Sequence, residues 1–208
     1  MYRNPIAVLT TVMLLSSTAF AQIGNPAGMG ADTKMSKPGV PAPHQTNNQD
    51  RLFAQLAAAG GLAEVELGRM ASGRAKADAA KQFAEMMVRD HTEANAKLKE
   101  LAEAAKIPLP ETLDPDHQVV RDQLDKLSGT PFDTAYIKAQ IVDHQKTAQL
   151  LAWEISLGED AEMQRLAASM LPIVLDHLRR AQEINAELTG AAIRLPAQAM
   201  AASGPKAQ

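Results

Sequence analysis

Asp90-His91, Asp143-His144 and Asp176-His177 are three copies of one dipeptide, and each stands in a helical context: MVRDHTEANAKL, QIVDHQKTAQLL and IVLDHLRRAQEI. Imidazole is a ligand for zinc, copper and iron, and a nearby carboxylate can orient a ligating His by accepting its other N–H. Residues three or four apart share a helix face. By that rule His91 lies with Phe83, Met87, Ala94 and Leu98, and His177 with Met163, Met170, Val174, Ala181 and Ile184. His144 shares its phase with Ile137, Ile141, Ala148 and Leu151, so all three rings are expected to face inward. On the helix before them Glu66 falls between Ala63 and Met70, while Glu64 lies near Gly60 and Leu67. The candidate metal set is therefore Glu66, His91, His144 and His177, drawn from four helices. Asp90, Asp143 and Asp176 are its outer partners, each available to a His on a neighbouring helix because adjacent residues point about 100° apart.

The same residues also fit a metal-free network, in which each buried His bonds a carboxylate from the next helix and fixes helix register. Asp176 has Arg180 four residues on and is placed for a surface ion pair. No Cys is present, which excludes disulfides, thiolate metal sites and thiol nucleophiles. Haem-attachment, phosphate-loop, nucleophile-elbow and HExxH motifs are missing too, so no catalytic residue is assigned. His44 and His117 read as solvated, and the methionines, at helical spacing, as core filler.

Four long amphipathic segments must carry these side chains. The first runs from about Asp50 to Ser72, with Leu52, Leu56, Ala59, Ala63 and Met70 as its stripe and Phe53, Gly60 and Leu67 beside it. The second opens at Asp78 and ends before Pro108 and Pro110. A short connector helix is capped by Asp114-Pro115 and reaches Gly129, and it is expected to lie across an end of the bundle. The third long helix starts at Thr130, with Asp133 in a capping-box-like position, and ends near Gly158. The fourth runs from about Asp160 to Thr189. Ala-rich inner faces and short first and third junctions predict an all-α, antiparallel four-helix bundle over residues 49–189.

The composition agrees: 46% hydrophobic but only 3% aromatic, with almost no support for strands. A formal net charge of −3 and no basic stripe argue against nucleic acid as a partner. Arg3, the apolar stretch from Ile6 to Leu15 and the small residues Ala19 and Ala21 form a signal peptide over residues 1–21, with cleavage expected after Ala21. The apolar run is shorter than the roughly 20 residues a bilayer-spanning helix needs. The mature chain is therefore expected to be periplasmic or secreted, without a transmembrane segment. Residues 22–48, rich in Gly, Pro and Asn, read as a disordered tether, and residues 190–208 as a flexible tail.

GGLAEVELGRMA at 60–71, KQFAEMMVRDHTEANAKL at 81–98, FDTAYIKAQIVDHQKTAQLL at 132–151 and LPIVLDHL at 171–178 resemble the bacterial family called domain of unknown function 4142, often labelled a predicted outer membrane protein. The resemblance spans roughly residues 50–189 and implies a ferritin-like four-helix bundle, with no established activity. Di-iron proteins of that fold place Glu three residues before the inward His on two helices. This chain has Val88, Ile141 and Val174 there, so oxidase or iron-storage chemistry is not implied.

The reading is of an exported binding or envelope-stress protein, more a binder than an enzyme, with a transition metal (zinc, copper or iron) as the cofactor its interior could take. Two alternatives stand beside it. One is a mononuclear metalloenzyme with an open metal position, and the other is a protein-interaction module recognised by an exposed apolar face.

Overall fold

The computed structural model describes residues 35–37, 40–41 and 46–190. Five helices account for nearly all of it: α1 (Asn48–Arg74), α2 (Asp78–Ala104), α3 (Pro115–Asp125), α4 (Gly129–Leu157) and α5 (Ala161–Thr189). One departure from the expected all-helical chain lies within the segment read as a tether. There Met35–Lys37 (β1) and Val40–Pro41 (β2) pair as a short antiparallel ladder. The signal peptide, its cleavage point, His44 and the tail beyond Gly190 lie outside the described residues.

Caps set the helix starts. Asn47 and Asp50 form a reciprocal capping box on α1, Asp114 caps α3 with Pro115 behind it, and Asp160 caps α5. Asp133 does something other than the expected local cap. It reaches across to the α1–α2 junction and accepts from the backbone N–H groups of Lys76 and Ala77 at 3.0 and 2.8 Å, serving α2, whose own cap residue Ala77 has no side-chain acceptor. The start of α4 is thereby fixed beside the end of α1. At the other end, Asn47 donates to the Leu157 carbonyl at 3.1 Å, and Asp50 accepts from Glu159 and Asp160 N–H.

These ties give the topology. α1 and α2 form one antiparallel hairpin and α4 and α5 another, with α1 beside α4 and α2 beside α5. Because α2 and α4 run the same way, the chain between them must travel the length of the bundle, a one-crossover connectivity that ferritin-like bundles also use. The link leaves near Gln55, which donates to Pro108 O, and arrives at Arg74, which holds Asp125 and the Leu127 carbonyl. α3 is part of this link, so it lies along the side of the bundle against α1 and α4 and not across its end. Helix pairs approach closely where side chains vanish: a Cβ on Gly68 of α1 would sit 3.0 Å from Val88 and 3.1 Å from the Ala84 carbonyl of α2.

Two apolar clusters form the core. One, around Phe83, Met87, Phe132, Tyr136 and Ile137, fills the end at the α1–α2 junction. The other, around Phe53, Leu98, Leu151, Met163 and Leu166, fills the opposite end. A polar layer separates them.

A candidate metal centre at the waist of the bundle

That layer is built from the three histidines. His91 of α2, His144 of α4 and His177 of α5 are all buried, and one ring nitrogen from each lies within 4.8 Å of the others. Their ring centroids are 5.4 to 5.7 Å apart, and Phe83 borders the layer from the end at the α1–α2 junction, 6.4 Å from His144 and 6.5 Å from His177.

Hydrogen bonds set which nitrogen carries each proton. His144 Nδ1 faces the Gln140 carbonyl at 2.9 Å, and a carbonyl only accepts, so the proton is on Nδ1 and Nε2 keeps its lone pair. His177 Nε2 lies 3.0 Å from the Asp90 carboxylate, which likewise claims a proton and leaves Nδ1 unprotonated. The two remaining lone pairs face one another across 3.4 Å, between His144 Nε2 and His177 Nδ1. His91 Nε2 is buried with no hydrogen-bond partner. Burial, together with the neighbouring imidazoles, pushes His91 down to about 3 and His144 down to about 4. Burial also lowers His177, against the opposing pull of Asp90. All three rings are neutral near pH 7, the form that binds metal.

The carboxylate beside them is Glu64 and not Glu66. Glu64 is 2% exposed, with Oε1 3.5 Å from His144 Nδ1. Glu66 points outward, its side chain 46% exposed and 3.5 Å from the Arg121 guanidinium. The expectation failed because the inward face of α1 is Phe53, Ala54, Ala58, Ala63, Glu64, Leu67 and Ala71, whereas Leu56, taken as part of the stripe, is 49% exposed. α1 is so rich in Ala and Gly that its apolar positions surround the helix, and its phase is weakly written.

The three aspartates meet three different fates. Asp90 bonds His177 on the neighbouring helix, the role expected of it. Asp143 turns instead to His117 of α3, 3.2 Å away, whose other nitrogen bonds Asp114. Asp176 stays at the surface, paired with Arg179 and Arg180 at 2.6 Å each. His117 is thus half-buried between two carboxylates and not solvated. The Asp143 bond pushes it up to about 9, against the cost of burial. Burial would raise Asp143, but the bond and charge of His117 outweigh it and hold the carboxyl low. Glu64 is pushed well up by burial and by the Asp143 charge, so it keeps its proton. The only sequence signal for His117 was its place three residues after a capping Asp.

The sequence matches the model of the family described as domain of unknown function DUF4142 over residues 35–184. The chain belongs to that family. No curated protein matches it. Two crystal structures are similar in fold. A DUF305 fragment from Deinococcus radiodurans has a TM-score of 0.63 and 14% identity, over 70% of this chain and 99% of that one. A putative secreted DUF305 protein from Streptomyces coelicolor has a TM-score of 0.59 and 14% identity, over 68% of this chain and 94% of that one. At such identity they support the all-α bundle and nothing about the site. Among the described residues no helix is long and apolar enough to cross a membrane.

Proposed function

We propose that this DUF4142 protein is an exported metal-binding bundle that holds one transition-metal ion on His91, His144 and His177. The observation that carries the reading is the pair of opposed lone pairs at 3.4 Å, with a third unpartnered imidazole nitrogen beside them. Two acceptors facing each other in a water-poor interior repel unless a cation lies between them, and the lowered pKa values of these rings make a proton a poor candidate. A metal ion satisfies both nitrogens and His91 at once. Asp90 and the Gln140 carbonyl hold the outer N–H groups, the usual way a protein orients ligating imidazoles. Three imidazoles without thiolate suit zinc, copper or iron. Export rests on the leader-like residues 1–21, and a structural neighbour described as a putative secreted protein accords with it.

The test is metal analysis of untagged protein purified without chelator, followed by calorimetric titration of the metal-free form with Zn²⁺ and Cu²⁺. One ion per chain is expected, with each of His91→Ala, His144→Ala and His177→Ala lowering that content and raising sensitivity to chelators. Saturation at a hundred times Kd should stabilise the fold by about 2.7 kcal/mol. No bound ion, no heat of binding and an unchanged Tm would leave a metal-free histidine network instead.

A further inference from the structure

The three-histidine layer is reached from solvent by unequal routes. Between α2 and α5 a surface groove of about 230 Å³ is lined by Asp90, Glu93, Ala94, Ser169 and Met170, among others. Asp90 belongs to both the groove and the layer. Its side chain is 26% exposed, yet its Oδ2 lies 3.0 Å from Nε2 of His177, whose side chain is 3% exposed. From Nδ1 of the same ring the line continues to His144 Nε2 at 3.4 Å. One imidazole therefore stands between the groove and the facing lone pairs. The other Asp90 oxygen is held by Arg89 Nε at 2.8 Å, on a side chain 68% exposed. A larger cavity of about 760 Å³, between α3 and the α1–α4 face, gives a poorer approach. There Glu64 blocks the way to His144: it is buried, keeps its proton, and faces Nδ1, the nitrogen that already carries the outward N–H. The two apolar clusters close the ends.

We infer that Asp90 is the port through which a divalent transition-metal ion enters and leaves the histidine centre, with Arg89 as its exchangeable stopper. The inference rests on the metal reading and adds the path to it. An ion entering a water-poor interior must exchange its water ligands for protein ones, and a carboxylate at the rim is a ligand that can begin the exchange. The ion competes with the Arg89 guanidinium for Asp90 Oδ1, and so exposed an arginine swings away readily because solvent screens the pair. From the carboxylate the ion passes to imidazole nitrogen, a donor that suits zinc and copper. Glu93 adds little free charge at the rim, since Lys97 holds it at 2.7 Å.

The test is stopped-flow mixing of metal-free, full-length mature protein with Zn²⁺ in the presence of a zinc-sensitive dye, and of zinc-loaded protein with a chelator. Asp90→Asn keeps an oxygen that accepts from His177 but removes the charge, and it should slow uptake at least tenfold. Arg89→Ala removes the competing cation and should speed uptake at least threefold, an opposite sign that a merely structural role for the pair does not produce. Ser169, exposed in the groove wall, gives the plugging variant Ser169→Phe, which should slow uptake and release alike, at least tenfold, with Kd unchanged. Ala139→Phe, which fills the cavity on the α3 side, should keep wild-type rates. Wild-type rates in Asp90→Asn or Ser169→Phe, or slowed uptake in Ala139→Phe, would overturn the port while leaving the metal site standing. Absence of zinc binding in the wild type would overturn both, so the two failures are told apart.

Discussion

Two buried polar layers cross this bundle, and they solve the same electrostatic problem in opposite ways. At the end where α1 begins, Asp50, Glu154 and Asp160 are buried together: Asp50 and Asp160 accept backbone N–H groups of the α4–α5 turn and of the first turn of α5, while Glu154 lies fully buried beside them. Burial, then the neighbouring Asp50, pushes Glu154 up to about 9, so it is neutral because it keeps its proton. At the waist, burial pushes His91 and His144 down, and the rings are neutral because they lose theirs. Desolvation disfavours charge in both places. Its chemical consequence differs: a carboxyl that becomes neutral surrenders a ligand lone pair, whereas an imidazole that becomes neutral gains one. The end layer is therefore left with protonated oxygens, and the waist with the free imidazole lone pairs on which the proposed metal site rests.

The largest predicted effect separates the layers by acid. In metal-free protein the folded values of about 3 for His91 and about 4 for His144 lie below the 6.5 of the unfolded chain. The unfolded state then binds more protons, so stability falls as pH drops below 6.5 and stops falling only near the folded values. By pH 5 each ring should cost about 2 kcal/mol, at 1.36 kcal/mol per unit. Urea unfolding at pH 7 and pH 5 measures this, and a His91→Leu, His144→Leu double variant should lose the slope. A wild-type midpoint insensitive to acid would mean the rings are not buried neutral.

Alkali should read the other layer, with the opposite sign. Glu154 has a folded value of about 9, raised above its ordinary 4.5, so its contribution is fully present below 4.5 and is lost as pH rises towards 9. Glu154→Gln keeps the shape without the proton. The stability difference between Glu154→Gln and wild type should therefore move in favour of the variant by up to about 3 kcal/mol between pH 6 and pH 8. A constant difference would show that Glu154 is already ionised at pH 6.

How much of this was legible in the sequence follows from how strongly each helix writes its phase. On α2 and α5, Phe83, Met87 and Leu98, and Met163, Val174 and Ile184, are large residues on one stripe, and both histidines fell where that stripe placed them. His144 was legible for the same reason, between Ile137 and Leu151. The lengthwise course of α3 was not, because the direction of a crossover depends on which helix ends meet, and those ties are long-range: Asp133 to Ala77, Asn47 to Leu157. His117 was missed for a related reason, since its partner Asp143 lies 26 residues away on another helix.

The smallest predicted effect tests the phase of α1 directly. Glu66 and Glu64 differ by two residues, about 200° round a helix, so only one can face the histidines. Glu66 is exposed and paired with Arg121 at 3.5 Å, a solvent-screened ion pair of the kind that contributes little to stability. Glu66→Gln should therefore change stability by no more than about 0.5 kcal/mol and leave zinc uptake untouched. Glu64→Ala should do more, because it removes a buried side chain packed against His144 and Gln140 and leaves a void beside the waist. Both variants are compared by urea midpoint and zinc titration. If Glu66→Gln loses metal while Glu64→Ala does not, α1 is turned the other way in solution, and the waist is completed by the carboxylate that the Leu52, Leu56, Ala63 stripe points to.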